Sequence, residues 1–520
     1  VSEDDVLAIL SEHLGLPILD PAAAPTIEAV RQTLSTLNVP AAWFVEHQVI
    51  AWRSGETLHA AGPHLHDASI QEAIEQWGEG GARLVLAKSL VVEPLLVDAD
   101  YVERLKHLGG QRGLKFKEYR QVRVRLGTGQ WIAVKTAYFS KAHPKSGKRR
   151  VKRRGRGAYL GLEALGFIGH YSVGLVSEVV ELALLCPSLA VAQTVLARRG
   201  LKLDVKTVRR LCGELGQRGL ALRGAVSLDG NEALAGRTLV IGIDGGRLRE
   251  RRPKRGRKKA GHKRQGYHSD WREPKLFTVY VTDGAGEIVR EVPPFHDATL
   301  GDHEAMFAVL ERYLRALDLS AVTRVVLCGD GAAWIWADVE ALIERLGLEA
   351  ACTHQVLDYT HAKQNLHQIL AWLPKRLRTP KVERQWKALL WRGDIAGLGQ
   401  AIEQTFVSKR GQKKALAKWQ SYFAANAHRM QYEDFEQQGL PCGSGSVESA
   451  IRRVINLRLK APGTFWTPAM AECFLFLRSQ LLSGRWEIML ANITTETAKQ
   501  VCSASVSEPA STDYHWLEAA

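Results

Sequence analysis

"RTLVIGIDGG", residues 237–246, sets the frame for the rest of the chain. Leu239, Val240, Ile241 and Ile243 make an apolar run that predicts a strand covered on both faces, as in α/β proteins. The run stops at Asp244, and Gly245 follows, so backbone crowds the carboxylate little. The same arrangement returns in "TRVVLCGDGAAWIW", residues 323–336, where an apolar strand ends in Asp330 and Gly331. One Asp-Gly is a common way to end a strand and means little. Two matched instances mean more.

Between and beyond these strands the α/β pattern continues. "LFTVYVTDG" (276–284) and "EIVREVPPF" (287–295) predict an antiparallel pair turning at Gly284–Gly286. Helices are expected near 302–317 and 334–346, and a strand near 349–357. Residues 361–438 read as mostly helical, with Trp372, Trp386, Trp391 and Trp419. "PCGSGSVESAIRRVINLRLK" (441–460) then leads from a Gly/Ser loop into an amphipathic helix with Glu448 in its first turn. Taken alone, Glu448 suits the positive end of the helix dipole, and Arg452 lies at ion-pair spacing. Set beside Asp244 and Asp330, it becomes the third hard oxygen ligand of a site without His or Cys. Such a set suits Mg²⁺ or Mn²⁺. Two such ions ~3.5–4 Å apart serve phosphoryl transfer.

The charge points the same way. Lys and Arg number 70 against 55 Asp and Glu, a net +15. Two blocks, "KAHPKSGKRRVKRRGR" (141–156) and "RERRPKRGRKKAGHKR" (249–264), are almost free of acids. Runs this dense repel themselves until a polyanion neutralises them, which makes nucleic acid the expected partner. Lys148, Arg149, Arg150, Arg255, Arg257, Lys258 and Lys259 are the candidate phosphate contacts. Upstream, "KEYRQVRVRLGTGQWIAVKTAYF" (117–139) predicts a hairpin around Gly127-Thr128-Gly129. In residues 187–219, Leu189, Val191, Ala192, Val195 and Leu196 mark one helix, stopped by Gly200. Asp204 can cap a second helix, with Val205, Val208, Leu211 and Leu215 on its apolar face. Two short helices at a tight turn fit a helix-turn-helix that presents Lys206, Thr207, Arg209 and Arg210 to DNA; an ordinary helical hairpin fits too.

Length and composition suit a globular protein of roughly three or four domains. Seven scattered cysteines without a C-x-x-C pair argue against a zinc finger or a disulfide framework. No apolar run approaches the ~20 residues of a membrane span, and no signal pattern opens the sequence, so a cytoplasmic, nucleoid-associated location with no membrane partner is expected.

The motifs "IGIDGG", "VVLCGDGAAWIW" and "GSGSVESAIRRVINLRLK", the last followed by "FWTPAMAECFLFLRSQLLSGRW", resemble those of the DDE transposases of bacterial insertion sequences. The resemblance spans about 236–490. It implies a multidomain α/β protein with an RNase H-like mixed sheet (β-β-β-α-β-α-β-α) and an all-α insertion before the catalytic Glu. A helix-turn-helix and an N-terminal α+β region precede that sheet. With the local patterns, the expected boundaries are an N-terminal region of unknown role at 1–100, hairpin and basic segment at 101–160, helix-turn-helix at 161–235, catalytic domain at 236–360 and 441–490, helical insertion at 361–440, and a Ser/Thr/Ala-rich disordered tail at 491–520. The family maps its catalytic and metal-binding triad to Asp244, Asp330 and Glu448. It implies Mg²⁺-dependent cleavage at element ends and transfer of the freed 3′-OH into target DNA. The partners are then double-stranded DNA, as terminal inverted repeats and target, and a homodimer or higher oligomer on that DNA. "DYTHAKQNL" (358–366) adds Asp358 and His361, similar to a D-x-x-H motif of related families and equally consistent with a strand-end Asp and an exposed His. Arg452 is an accessory candidate. A nuclease or junction resolvase on the same fold, and a DNA-binding protein that has lost catalysis, remain as alternatives.

Overall fold

The computed structural model describes residues 96–126, 131–141, 157–224, 234–256, 261, 266–407 and 409–502. They belong to two compact units. One comprises residues up to 183 with 189–215 and those from 490; the other comprises 184–188 and 216–489.

In the first unit, strands β1 (Leu114–Arg125) and β2 (Trp131–Lys141) form the expected antiparallel hairpin. Phe139 and Ala137 of β2 pack with Val102, Leu105 and Leu108 of the helix Ala99–Gln111, which is capped by Asp98. The loop 127–129 and the block from 142 to 156, with Lys148, Arg149 and Arg150, lie outside the described residues. The helical pair also forms: Leu189–Arg198, a left-handed Gly200, then a helix from Val205. Asp204 Oδ1 accepts the Thr207 amide at 2.7 Å, satisfying an orphan N–H of the first turn. Val208, Leu211 and Leu215 are buried, as the 3.6-residue spacing requires.

The second unit is built on a five-stranded mixed sheet. Its strands are β3 (Thr238–Gly245), β6 (Lys275–Thr282), β7 (Phe295–Thr299), β8 (Arg324–Gly329) and β9 (Thr353–Leu357), in the order β7-β6-β3-β8-β9. β3 runs antiparallel to β6 and parallel to β8; β8 is parallel to β9. The apolar runs are buried along nearly their whole length because both faces are covered. Paired residues Gly242 and Thr278 face Val447 of the helix Gly445–Ile451, while the preceding residue on β6, Phe277, stacks edge-on against Tyr313 of the helix His303–Arg315. Successive strand residues point to opposite faces, so these two helices cover opposite sides of the sheet. Between β3 and β6 a separate ribbon is inserted, β4 (Leu248–Pro253) paired with β5 (Tyr267–Arg272). It carries the second basic block.

Two expectations are corrected. Residues 287–295 do not form the partner strand. Asp283 Oδ1 accepts the amides of Ala285 and Glu287 in a tight turn, Ile288 makes one bridge, and Pro293 and Pro294 lack the N–H a ladder needs. The third strand starts only at Phe295. Nor is the tail disordered from 491: the helix Trp486–Cys502 occupies it through 502, with Met489, Leu490 and Ile493 buried at helical spacing. Its Ser/Thr/Ala composition conceals that stripe. Residues 503–520 lie outside the described ones.

The described residues of 359–437 are mostly helical, as expected, yet they do not build a core of their own. Trp386, Leu390, Phe406, Phe423 and Tyr432 belong to the same buried cluster as the strand residues Val240, Leu327 and Leu357. Tyr432 donates its hydroxyl hydrogen to the Leu357 carbonyl at 2.8 Å, tying the helices to the end of β9.

Candidate active site

Register assembles the site. Ile243 of β3 is paired with Gly329 of β8, and Gly329 with Leu357 of β9. The next residue on each parallel strand is an aspartate, so Asp244, Asp330 and Asp358 leave three neighbouring strands at one level. Adjacent strands lie about 4.8 Å apart. The Asp358 amide extends the ladder to the Gly329 carbonyl at 2.8 Å. Asp244 is two residues past Gly242 and shares its face. That is the face on which Val447 packs, and Glu448 follows Val447. Gly242 permits this approach, since a β-carbon there would stand 3.1 Å from both Val447 and Thr278.

Each carboxylate is held differently. Asp244 Oδ1 accepts the Gly245 amide at 2.6 Å and Asp330 Oδ1 the Ala332 amide at 2.8 Å. The Asp330 carbonyl accepts from Trp336 Nε1, and the Tyr422 ring fills the space a β-carbon on Gly331 would need, 2.1 Å away. Asp358 is fully buried and caps the helix Tyr359–Trp372 through the Thr360 amide. Its Oδ2 accepts from His361 Nδ1 at 2.9 Å and from the Ser444 hydroxyl. Asp358 thereby anchors the Gly/Ser loop from which the Glu448 helix springs. Glu448 is exposed and makes no side-chain hydrogen bond or ion pair among the described residues. Arg452, where the α-helix passes into a π-turn, does not pair with it.

Burial pushes the Asp244 carboxyl up to about 6, and the charges of Asp330 and Glu448 add to the rise; the Gly245 amide and His361 oppose it. The hydrogen bond to Asp358 raises His361 to about 9, with the Asp358, Asp330 and Asp244 charges contributing. Burial alone would raise Asp358, but His361, Ser444 and the Thr360 amide hold it below the usual carboxylate range. The site is a crowd of anions with one imidazolium on its flank.

Which residues fit a cation follows from their acceptors. By distance, the one group among the described residues with three ligand atoms within 4.8 Å of one another is Asp358, His361 and Glu448; Asp244 and Asp330 are not part of it. In that group both oxygens of Asp358 already accept hydrogen bonds and His361 Nδ1 is taken up by Asp358, so of these two residues only His361 Nε2 is left to ligate. Among the described residues, Asp244 and Asp330 each retain one oxygen without a partner, and Glu448 both. Uncompensated carboxylate oxygens suit a hard divalent ion, so this second set fits better. The fixed ladder position of Asp358 and the role of Ser444 were not legible beforehand; the signal for Asp358 was a third strand ending in Asp.

The remaining sequence candidates are dispersed. Lys206 and Arg209 are exposed on their helix. Thr207 is partly buried in the cap, and Arg210 is held by Glu214 at 2.8 Å and by the Tyr171 ring. Arg255 is exposed on the ribbon; Arg257, Lys258 and Lys259 lie outside the described residues. No helix among the described residues is long and apolar enough to cross a membrane. No family model, curated protein or solved structure matches the chain.

Proposed function

We propose that this chain is a DDE transposase with an RNase H-like catalytic domain, which cuts phosphodiester bonds at the ends of an insertion sequence and joins the 3′-OH ends to target DNA. The observation that carries the reading is the level row of strand-end aspartates, Asp244 and Asp330 on neighbouring parallel strands, faced by the partnerless Glu448. The sheet order β7-β6-β3-β8-β9, with β6 antiparallel and β8 parallel to β3, supports it. So do the basic ribbon that begins four residues past Asp244 and the exposed Lys206 and Arg209.

Asp244, Asp330 and Glu448 would hold Mg²⁺ or Mn²⁺, two ions in the proposed scheme. When bound, these supply the Lewis acidity that phosphoryl transfer needs at attacking and leaving oxygens. The protein's own residues set the geometry. Asp244 and Asp330 are fixed by backbone amides at the C-terminal ends of β3 and β8. Asp358 holds Ser444, and Ser444 fixes the loop that presents Glu448. His361 moderates the negative potential into which a phosphodiester must come. The basic residues neutralise phosphates and the helical pair contributes to end recognition, on double-stranded DNA and as a dimer or larger assembly.

The test is cleavage of a labelled duplex that carries the inverted repeats flanking the gene, in Mg²⁺, with binding measured in parallel. Asp244→Asn, Asp330→Asn and Glu448→Gln should each abolish cutting and leave binding intact. A Glu448→Gln protein that still cuts would overturn the triad. Cut ends without joined target products would move the reading to a nuclease or junction resolvase on the same scaffold.

A further inference from the structure

The β4–β5 ribbon has two unlike faces. On one, Glu250 accepts from Arg252 at 2.7 Å and from Arg272 at 3.2 Å, and Asp270 lies 4.0 Å from Arg252. Charge on that face is cancelled. Alternation places Arg249 and Arg251 on the other, with Tyr267 and Trp271 of β5. Here no carboxylate among the described residues pairs with the arginines; they lie on rings. Arg249 sits 5.3 Å from the Trp271 ring and 4.9 Å from the Phe465 ring, and Arg251 sits 5.5 Å from Tyr267. Phe465 joins because the chain beside it runs along β4: Trp466 accepts from the Arg251 amide and donates to the Arg249 carbonyl. The Tyr267 and Phe465 rings are 5.5 Å apart. Trp271 is 56% exposed and Tyr267 43%, among the most exposed large apolar side chains of the described residues.

We propose that this face is a stacking platform for unpaired bases of a DNA strand running past the carboxylate site. The partner class rests on the proposed function. The chemistry is on the face itself: aromatic rings offer π-surfaces that every base can use, interleaved guanidinium groups meet the phosphates, and no acid opposes them. Duplex DNA hides its base faces and would leave the rings idle. Arg249 is five residues from Asp244, so the platform begins within ~17 Å of the site along an extended chain. That is about five stacked nucleotides. An opened strand end held there is kept from re-pairing while its phosphodiester lies at the carboxylates. The Arg–aromatic pairs also stabilise the ribbon itself, and the experiment must separate the two effects.

The full-length protein is titrated, in EDTA so that no cutting occurs, with a fluorescent single strand and with the fully paired duplex of the same sequence; melting is followed alongside. The parent should bind the single strand with a preference that Trp271→Ala removes, weakening single-strand binding roughly 5- to 150-fold per lost stacked base while duplex affinity stays within about twofold. Trp271→Phe keeps a ring and should restore most of the preference; Trp271→Leu, apolar but without a π-face, should not. A parent without preference for the single strand, a Trp271→Ala protein weakened equally on both DNAs or on neither, or Leu serving as well as Phe would each overturn the platform. None of these outcomes touches the cleavage reading, which stands or falls on the carboxylate variants.

Discussion

Replacing Arg223 with Met should be among the most damaging single changes in the second unit. Its guanidinium donates twice to Asp297, Nε at 2.8 Å and Nη2 at 2.7 Å, once to Glu472 at 2.7 Å, and once to the Ala298 carbonyl at 2.6 Å. The Asp297 side chain has no exposure and that of Arg223 only 7%. Asp297 would keep the Tyr313 hydroxyl at 3.1 Å and the Ala298 amide at 2.7 Å, two neutral donors in place of a cation. Stranding one member of a buried pair typically costs about 3–5 kcal/mol, against at most ~1 for an exposed pair. Met matches the length of the stem, so packing accounts for little of the loss. Urea unfolding of parent and variant at pH 7 measures it as a change in midpoint at constant slope. Adding Asp297→Asn removes the stranded charge and should return about 1–3 kcal/mol, a non-additivity expected of contacting residues. A loss below ~1 kcal/mol, or a double variant weaker than the sum of the singles, would refute the idea that this ion pair closes the edge of the sheet.

His296 gives a pH signature. Burial, with help from Arg453, lowers it to about 4 while an unfolded histidine titrates near 6.5. The unfolded chain therefore takes the proton first, and stability should fall by about 3 kcal/mol as pH drops from 6.5 to 4; unfolding curves of His296→Gln should lack that share of the slope. Gly331→Ala must displace the Tyr422 ring or the strand end. It should lose about 1–3 kcal/mol and much of any Mg²⁺-dependent activity, so calorimetry that finds it as stable as the parent contradicts the close approach. Mg²⁺ at a hundredfold excess over its dissociation constant should stabilise the parent by about 2.7 kcal/mol, and EDTA should reverse this. The gain should shrink in Asp244→Asn and survive in His361→Gln, the reverse of what a set containing His361 predicts; Glu448→Gln, at a residue common to both sets, should lose it in either case.

The strands were legible wherever burial on both faces wrote itself as an apolar run, as in 238–243 and 324–329. The hairpin after Thr282 was misplaced because apolar content in "EIVREVPPF" outweighed the two prolines that forbid a ladder. The terminal helix was missed for the converse reason: three buried residues at helical spacing sit among small polar ones. The site was legible as residue types and hardly as geometry. That Asp244 and Asp330 end buried strands could be read; that those strands are parallel and Asp358 stands level with them depends on register across β3, β8 and β9, which no local pattern encodes. The β4–β5 ribbon was legible as a basic block and not as strands, since β5 is exposed along its length and β4 buries only Leu248 and Glu250, too little to show as apolar alternation.

The arrangement of the acids separates what holds the fold from what the fold holds ready. Glu472, in the motif after the Glu448 helix, looks from sequence like a fourth candidate ligand. It accepts from Arg223, the Thr299 hydroxyl and the Leu300 amide, and is consumed by structure. Asp297 is consumed in the same way, and Asp358 by Ser444, His361 and a helix end. Asp244, Asp330 and Glu448 differ from all of these in keeping oxygens that nothing in the described protein satisfies, although burial already raises Asp244. Like charges left together in this way oppose folding, and a purely structural role would have supplied them with donors, as the other acids have been. The unspent acceptors, more than the presence of three carboxylates, are the reason to place the chemistry at the ends of β3 and β8.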